Sequence, residues 1–216
     1  MNEVDVVLPC LDEAAALPGV LAALPAGYRA IVVDNGSTDG SPDVAAAHGA
    51  VVVHEPRRGY GAAVHAGLSF AGTEIVCFLD ADGSLDPAEL VPLVETVAGG
   101  VQLAVGRRVP VSRDAWPWHA RAGNRVLAAI MRHRGLPVSD IACMRAVRRA
   151  DLLALDVRDR AFGYPLELLV RAAEAGWSVV EHDIDYRPRT AGTRSKVSGS
   201  VRGTLRAVRD MAGVLR

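Results

Sequence analysis

This 216-residue chain is poor in aromatic residues, cysteine and lysine, and it contains no long apolar run. Only 5% of the residues are aromatic, so its basic segments lack the interleaved aromatic side chains of nucleic-acid-binding modules, and we expect no nucleic-acid partner. No stretch approaches the length of apolar sequence that a membrane-spanning helix requires, which excludes a transmembrane segment. The amino terminus is acidic and leads straight into a strand-like run, unlike a signal peptide.

The three cysteines, Cys10, Cys77 and Cys143, lie far apart, without the spacing of a metal site or a redox motif. We therefore predict buried free thiols in a reducing compartment. Half of the residues are apolar and 23% are charged, which supports one sizeable core and excludes a disordered chain. The composition thus predicts a cytoplasmic protein of one domain, at most with one appendage.

The formal net charge of −1 conceals a strong partition of charge along the chain. Residues 1–106 carry 14 acidic and 3 basic side chains, whereas residues 107–149 carry 10 arginines against two aspartates. Residues 150–186 are acidic again, and residues 187–216 carry 8 basic side chains against one aspartate. The acidic half suits a divalent cation and the basic segments suit phosphates, although ordinary solvated faces would also explain such runs.

Short β-branched runs alternate with helical patterns, which predicts an α/β fold with a mainly parallel central sheet flanked by helices. Strands are expected near 4–8, 30–33, 50–54, 74–79, 101–105 and 177–186. Helices are expected near 14–24, 40–47, 60–70, 86–98, 120–133 and 163–175, while 140–150 fits neither pattern and 187–198 is a polar loop.

The last residues, 199–216, place apolar side chains at helical spacing, with arginines mostly on the other side of the helix. This pattern predicts a basic amphipathic helix that follows a domain covering 1–198. Such a helix either packs on its own domain or lies on an anionic lipid surface.

Acidic residues follow three of the predicted strands: Asp12 and Glu13, the segment 34–40, and Asp80 with Asp82. Ligands of open α/β sheets bind beyond the carboxyl ends of the strands. Each turn alone has a plain explanation as a helix start or a loop. The paired carboxylates of Asp80 and Asp82, however, repel each other unless a cation lies near them, and hard oxygen ligands suit Mg²⁺ or Mn²⁺. We therefore predict a metal site at Asp80 and Asp82.

Three segments, Pro9–Glu13, Asp34–Gly40 and Leu79–Asp82, resemble in order and spacing the successive motifs of family-2 glycosyltransferases. In that family they read roughly P-x-x-N-E, D-D-G-S-x-D-G and D-A-D. The resemblance implies a GT-A fold, a single Rossmann-like domain, and a nucleotide-diphosphate sugar as donor. It also implies a divalent metal that bridges the donor phosphates, and inversion at the anomeric carbon.

The same resemblance assigns roles to individual residues. Glu13 would contact the ribose, Asp34 would face the base, and Asp82, helped by Asp80, would bind the metal. Two positions depart from the family pattern: Asp12 replaces the usual Asn, and Asn35 replaces what is often a second Asp. The choice between a UDP-sugar and a GDP-sugar as donor therefore stays open. The expected donor-binding residues are Pro9, Leu11, Glu13, Asp34, Asp80, Ala81, Asp82, Arg187 and Lys196.

The stretch Gly59-Tyr60-Gly61 superficially suggests a dinucleotide-binding fingerprint. It lacks the third glycine and lies mid-chain rather than after the first strand, so it fits that motif badly. In family-2 glycosyltransferases a similar stretch opens a helix beside the donor, which would bring Arg57 or Arg58 near the site.

The second half of the chain is similar to the polyprenyl-phosphate (dolichyl-phosphate-type) sugar synthases. The matching segments are Gly106-Arg107, Arg121–Asn124, Ser139-Asp140 with Met144-Arg145, Glu167, and Arg187–Lys196. This resemblance implies a polyprenyl-phosphate acceptor and a peripheral place on the inner face of the membrane. It also divides the domain into a nucleotide-sugar-binding half, 1–106, and an acceptor half with a phosphate loop, 107–198.

The acceptor determines whether a general base is needed. A phosphate monoester is largely ionised at neutral pH and needs arginines to hold it, for which Arg107 and Arg121 are the candidates. A sugar hydroxyl needs a positioned carboxylate, with Asp140 as first choice and Glu167 as second. Asp140 would equally serve to orient Arg107 or Arg121 by a salt bridge.

Lys196, the only lysine, lies in a glycine-bearing basic loop suited to closing over a diphosphate. The catalytic candidates are therefore Asp82, Asp140, Arg107 and Lys196. Two alternatives to lipid-phosphate glycosylation remain: transfer to a soluble hydroxyl acceptor, and a non-catalytic nucleotide-sugar-binding module. The intact pair Asp80 and Asp82, together with Lys196, argues against the second.

Overall fold

The computed structural model describes residues 4–112, 114–141, 144–193 and 201–215, with the backbone alone for 201–205. Within these residues the strands are β1 (Val4–Cys10), β2 (Tyr28–Asp34), β3 (Val51–His54), β4 (Ile75–Phe78), β5 (Leu103–Pro110), β6 (Arg145–Arg148) and β7 (Val179–Tyr186). The helices are α1 (Leu17–Ala22), α2 (Ser41–Ala47), α3 (Tyr60–Phe70), α4 (Leu90–Ala98), α5 (Trp118–His133), α6 (Arg149–Ala154), α7 (Tyr164–Glu174) and α8 (Val201–Val214).

The described strands form one sheet in the order β3-β2-β1-β4-β6-β5-β7. β6 runs antiparallel to β4 and β5, and the other neighbouring pairs are parallel. The predicted mainly parallel α/β sheet is therefore confirmed. Because β1, β2 and β4 are parallel neighbours, their carboxyl ends open on the same edge of the sheet, where a ligand is expected.

Helices cover both faces of the sheet. Val6 and Leu8 of β1 belong to the apolar cluster beneath α1, α2 and α4. Val7, between them, belongs to the cluster beneath α3, α5 and α7. Successive side chains of a strand point to opposite faces, so a strand with helices on both sides needs apolar residues at nearly every position. This explains the continuous apolar runs that the sequence shows.

Several segments differ from their predicted structure. α1 begins at Leu17 rather than near residue 14, because the N–H of Ala16 donates to the carbonyl of Glu13 in a turn before the helix. β5 continues to Pro110, beyond the expected end near 105, because it pairs with β7 along this whole stretch. The ambiguous segment 140–150 contains β6 and the start of α6. The guanidinium of Arg145 is buried there and donates to the carbonyl of Pro165. Because β6 begins with this charged residue, its sequence lacks the apolar run that predicts a buried strand.

The predicted carboxyl-terminal helix is present as α8, and its side chains are described from residue 206. Met211, Val214 and Leu215 pack against the apolar cluster beneath α3, α5 and α7, whereas Val208 is exposed. Of the two expected arrangements, the helix thus takes the one in which it packs on its own domain. Among the described residues, no helix is long and apolar enough to cross a membrane.

Two of the three cysteines lie in described parts of the chain. Cys10 and Cys77 are buried free thiols, as predicted. Burial raises the pKa of the Cys10 thiol to about 11, so this thiol is protonated at neutral pH. Cys143 lies outside the described residues.

Candidate active site

The acidic segments after β1 and β2 are locked together at the carboxyl edge of the sheet. The N–H of Asp12 donates to Ser37 Oγ (3.0 Å), and Asp12 Oδ1 accepts from the N–H of Thr38 (2.8 Å). Asp39 accepts from the N–H of Ala14 (3.0 Å). Asp12 and Asp39 therefore build the rim by tying two loops to each other.

Asp34 is the last residue of β2, next to the loops that Asp12 and Asp39 tie together, and it is almost fully buried. Its carboxylate accepts hydrogen bonds from the N–H groups of Gly36 (3.2 Å) and Ser37 (2.9 Å), and His54 Nδ1 lies 3.4 Å away. Burial alone would raise the pKa of Asp34, but the hydrogen bonds from Ser37, His54 and Gly36 outweigh it and lower the pKa. Asp34 is therefore a fixed, charged acceptor at the position expected to face the base.

Asn35 organises the next loop. Its side-chain amide donates to the carbonyls of Glu55 (2.9 Å) and Arg57 (2.8 Å), and its Oδ1 accepts from the N–H of Gly59 (2.8 Å). The guanidinium of Arg58 donates to the Asn35 carbonyl (2.9 Å). An aspartate could accept but could not donate to the two carbonyls, which gives a physical reason for Asn at this place. Arg58 is thereby brought to the rim, as expected for Arg57 or Arg58.

The glycines of Gly59-Tyr60-Gly61 serve close packing of the backbone. The N–H groups of Gly61 and Ala62, at the start of α3, donate to the carbonyls of Ala161 and Arg160 (2.9 Å each). A Cβ at Gly59, which has φ +143°, would overlap the Arg160 carbonyl. These N–H groups are therefore hydrogen-bonded to protein carbonyls, whereas in a dinucleotide fingerprint the corresponding N–H groups would bind phosphate. The rejection of that fingerprint is consistent with this geometry.

Asp82 lies deepest in the site. It is 2% exposed, its Oδ1 accepts from the N–H of Ser84 (2.8 Å), and its Oδ2 lies 2.6 Å from Nη2 of Arg189. Nη1 of Arg189 lies 3.2 Å from Oε1 of Glu13. One guanidinium thus joins the carboxylate that follows β1 to the one that follows β4.

Arg189 is a site residue that the sequence reasoning missed. Burial alone would lower its pKa, but Asp82, Asp80 and Glu13 more than offset this and raise the pKa, so the guanidinium is charged. The predicted choices from the same basic loop were Arg187 and Lys196. Only the general basic character of residues 187–196 pointed toward Arg189, and nothing in the spacing distinguishes it from its neighbours.

The backbone of the basic loop is docked on the Asp82 turn. The N–H of Thr190 donates to the Asp82 carbonyl (3.0 Å), and the N–H of Arg187 donates to the Ser84 carbonyl (2.9 Å). The Arg187 side chain is half exposed and lies 3.4 Å from Asp86 Oδ2 and 4.0 Å from Asp185 Oδ2. Lys196 lies outside the described residues.

In the acceptor half, Asp140 pairs with an arginine that the sequence reasoning did not select. Its carboxylate accepts from the backbone N–H, Nε and Nη2 of Arg108 at 3.0, 2.8 and 2.7 Å. The expected partners were Arg107 or Arg121, and this expectation is wrong. Arg107 instead forms two hydrogen bonds with Asp183 at the surface. Arg121 lies half-buried on α5, without an ion-pair partner among the described residues.

Aromatic rings enclose Arg108 and connect it to the donor side. Its guanidinium carbon lies 4.1 Å from the ring centre of Trp116 and 5.4 Å from that of Tyr186. The two rings meet edge to face, 5.5 Å apart. Tyr186 directly precedes Arg187, whose N–H donates to the Ser84 carbonyl in the turn after Asp82. The paired Arg108 and Asp140 are therefore neighbours of the Asp82 site.

Glu167, the second choice for a base, has a structural task. Its carboxylate accepts from the N–H groups of Arg158 (3.0 Å) and Asp159 and from Nε of Arg171. Burial would raise the pKa of Glu167, but these hydrogen bonds lower it overall. A carboxylate committed to a loop in this way is poorly suited to accept a proton from a substrate.

The carboxylate oxygens at Asp80 and Asp82 suit a divalent cation, but they are too few to complete its coordination without oxygens from a bound substrate. No group of three or more His, Cys, Asp or Glu side chains suited to a metal occurs among the described residues. Asp80 and Asp82 supply hard carboxylate oxygens, the kind that Mg²⁺ and Mn²⁺ prefer. Since Mg²⁺ is commonly held by one or two carboxylates plus substrate phosphates, the residues fit a metal that arrives with a diphosphate.

Comparison with known proteins gives a consistent picture. Residues 5–154 match the family described as Glycosyl transferase family 2. A protein described as an uncharacterized glycosyltransferase, from Mycobacterium tuberculosis (strain ATCC 25618 / H37Rv), is 59% identical over 99% of this chain and 98% of its own. Polyprenol monophosphomannose synthase from Mycolicibacterium smegmatis is 34% identical over 90% of this chain and 81% of its own.

The fold comparison agrees with the sequence comparison. A crystal structure of glucosyl-3-phosphoglycerate synthase from Mycobacterium tuberculosis, in complex with Mn²⁺, uridine diphosphate and glucosyl-3-phosphoglycerate, matches with a TM-score of 0.78. The match covers 99% of this chain and 78% of that chain, at 23% identity. It confirms the expected GT-A fold.

Proposed function

Because the chain belongs to glycosyltransferase family 2, we propose that it transfers a sugar from a nucleotide-diphosphate sugar to a polyprenyl phosphate, with inversion and with a divalent metal. The observation that carries the proposal is the meeting of Glu13, Asp82 and Arg189 beyond β1 and β4. Carboxylate oxygens suit the metal, and a guanidinium suits the phosphates of a metal-bound diphosphate.

For the donor, we assign the nucleoside to Pro9, Leu11, Glu13 and Asp34, with the ribose at Glu13 and the base at Asp34. The charged, fixed carboxylate of Asp34 supports this role, since it offers acceptor oxygens to a base. The glucosyl-3-phosphoglycerate synthase of the same fold was crystallised with uridine diphosphate and Mn²⁺, which is consistent with a donor and a metal of this kind.

The chain's own residues would prepare the leaving group. A bound divalent ion stabilises the negative charge that develops on a departing diphosphate. Asp82 and Asp80 would hold that ion, on either side of the buried Ala81. Arg187, Arg189 and Lys196, on the basic loop, would contribute positive charge to the same diphosphate.

For the acceptor, the state of Asp140 favours a phosphate over a hydroxyl. Its buried carboxylate is engaged by three donors of Arg108, so it would have to break this pair to remove a proton. A phosphate monoester is already ionised and needs no base. We therefore assign Asp140 to positioning Arg108, and we assign the acceptor phosphate to Arg108 with Arg107 and Arg121.

A surface of the acceptor half suits a lipid-bound acceptor. Trp118, Ala122 and Val126 recur every fourth residue on α5 and therefore lie on one side of the helix. Trp118 is 80% and Val126 61% exposed. The segment 107–149 that contains α5 carries eight more basic than acidic side chains. An exposed tryptophan and valine among arginines fit the interface of an anionic membrane.

The division into a donor half, 1–106, an acceptor half, 107–198, and a terminal helix, 199–216, is part of the same proposal. The residues assigned to the nucleoside and the metal lie before Gly106, and the acceptor arginines lie after it. The basic loop returns from the second half to dock on the Asp82 turn, so each half would contribute to one reaction centre.

Sugar transfer to defined acceptors tests the proposal. The purified chain is incubated with labelled UDP- and GDP-sugars, Mn²⁺ or Mg²⁺, and either a polyprenyl phosphate in vesicles or soluble hydroxyl acceptors. We expect label in the polyprenyl phosphate, and we expect Arg108→Gln to reduce it by about 100-fold or more, the loss of one charged hydrogen-bonded contact to phosphate. Glu74→Gln, on the exposed side chain that pairs with Arg148, is the control.

Each other outcome identifies an alternative. Label only in soluble acceptors would replace the lipid acceptor by a hydroxyl acceptor. Donor binding without transfer to any acceptor would favour a non-catalytic nucleotide-sugar-binding module. Unchanged transfer by Arg108→Gln would contradict the assigned phosphate contact.

A further inference from the structure

The guanidinium of Arg189 lies on Asp82, the residue proposed to bind the divalent metal. Its side chain is 29% exposed, whereas those of Glu13 and Asp82 are 8% and 3% exposed. Two nearly buried carboxylates therefore share one guanidinium. Carboxylates brought together out of water repel each other, and in this arrangement Arg189 supplies the positive charge that holds them.

The backbone around Arg189 is fixed on both sides. Thr190 donates to the Asp82 carbonyl and Arg187 to the Ser84 carbonyl. A Cβ at Gly83, which has φ +76°, would overlap Thr190 Oγ1, so the turn and the loop are in close contact. Because the loop backbone is held in this way, we expect the guanidinium to leave Asp82 by rotation of the Arg189 side chain while the loop stays docked.

The two cations compete for the same oxygen. Oδ2 of Asp82 lies 2.6 Å from Arg189, and a divalent ion on this oxygen would bring a second positive centre next to the guanidinium. Like charges at such a distance repel strongly where water is scarce. A diphosphate removes the conflict because it brings several anionic oxygens, enough for the metal and for the released guanidinium together.

We propose that Arg189 is an internal counter-cation that keeps the divalent metal from Asp82 until a nucleotide diphosphate arrives. Arg189 then exchanges the carboxylates of Glu13 and Asp82 for phosphate oxygens, and the metal takes its place. The inference rests on the proposed function, since it needs a metal and a diphosphate at this site. It makes metal binding depend on the nucleotide.

Mn²⁺ binding without any nucleotide tests the inference directly. Free Mn²⁺ is measured by its paramagnetic resonance signal in the presence of wild type, Arg189→Gln or Arg148→Gln. We expect Arg189→Gln to bind Mn²⁺ about tenfold or more tightly than wild type, because the competing charge is gone. Arg148→Gln removes one positive charge from a pair that lies at β6, with Glu74, and we expect it to match wild type.

A second measurement uses the unaltered chain. The side-chain Nε–H resonance of Arg189, assigned by its loss in Arg189→Lys, is followed by nuclear magnetic resonance. We expect no shift with Mg²⁺ alone and a clear shift when Mg²⁺ and uridine or guanosine diphosphate are added together. This readout does not require Arg189→Gln to be stable.

The outcomes separate the inference from the function on which it rests. Equal nucleotide-free Mn²⁺ affinity in wild type and Arg189→Gln, or a shift of the Arg189 resonance with Mg²⁺ alone, would overturn the inference while leaving metal-dependent donor binding intact. Absence of Mn²⁺ binding in every variant, with or without a nucleotide diphosphate, would remove both.

Discussion

At the scale of single residues, two neighbouring arginines of β5 form ion pairs of very different character. Arg108 and Asp140 are 16% and 1% exposed, whereas Arg107 and Asp183 are 44% and 57% exposed. A buried pair that loses one partner leaves an uncompensated charge out of water. An exposed pair is screened by solvent and contributes little.

This contrast gives a matched pair of stability predictions. Asp140→Asn should lower the free energy of unfolding by about 3–5 kcal/mol, because it leaves the Arg108 charge buried. Asp183→Asn should lower it by about 1 kcal/mol or less. Urea denaturation measures both, and equal effects of the two substitutions would contradict the described burial of Arg108 and Asp140.

The residue scale is also where sequence reasoning has its limit. The carboxylates after the strands were identifiable because strand ends set their position in the chain. Arginine partners were not, since Arg107 and Arg108 are adjacent and only the side to which each points distinguishes them. Arg187 and Arg189, separated only by Pro188, are likewise distinguished only by their partners in the fold, Asp86 for the first and Glu13 with Asp82 for the second. The carboxylate with which a long arginine side chain pairs depends on the three-dimensional fold, and the order of residues in the sequence does not specify it.

At the scale of elements, the start of α3 depends on two glycines rather than on a side-chain cap. No side chain caps this helix, and its first N–H groups donate to carbonyls of the loop before α7. Gly59→Ala should therefore lower the free energy of unfolding by about 1–3 kcal/mol, because alanine is strained at φ +143° and its Cβ overlaps Arg160.

Gly123→Ala is the control for this prediction. Gly123 lies inside α5 with open space where a Cβ would lie, so alanine should leave stability unchanged or raise it by about 1 kcal/mol. Thermal or urea unfolding compares the two variants. A neutral Gly59→Ala would show that α3 and the loop at 160–161 are not in the described contact.

The exposed side of α5 predicts membrane binding by a specific element. Trp118→Ala should reduce binding to vesicles rich in anionic lipid several-fold, because the ring would no longer enter the interface. Phe70→Ala removes another exposed aromatic side chain, at the end of α3, and should leave binding unchanged. Sedimentation with vesicles measures both variants, and an equal loss in both would argue against α5 as the contact.

The elements themselves were largely predictable, and the exceptions have physical causes. Strands with helices on both faces require continuous apolar runs, and β1, β2 and β4 show them. β6 has arginine at both ends and runs antiparallel, so neither its composition nor the alternation of strands and helices revealed it. The helical spacing of its apolar residues predicts the terminal helix α8. The surface on which α8 packs, the cluster beneath α3, α5 and α7, is set by tertiary packing and is not predictable from that spacing.

At the scale of the whole molecule, the partition of charge along the chain corresponds to the partition of proposed tasks. The acidic first half supplies the carboxylates at the edge of the sheet, and the basic segments supply Arg108 and the loop that contains Arg189. Both signs meet at Asp82. A net charge near zero therefore results from opposed segments that converge on one site.

Titration of nucleotide sugars into the chain by calorimetry, with and without Mn²⁺, tests the central claim most directly. We predict that Mn²⁺ tightens binding of one donor about tenfold or more, and that Asp82→Asn, which keeps an oxygen acceptor for Ser84, removes this dependence. Glu74→Gln, with the same loss of charge at an exposed site, should behave as wild type. Donor binding that ignores both Mn²⁺ and Asp82→Asn would contradict the claim that Asp82 holds a metal against the donor diphosphate.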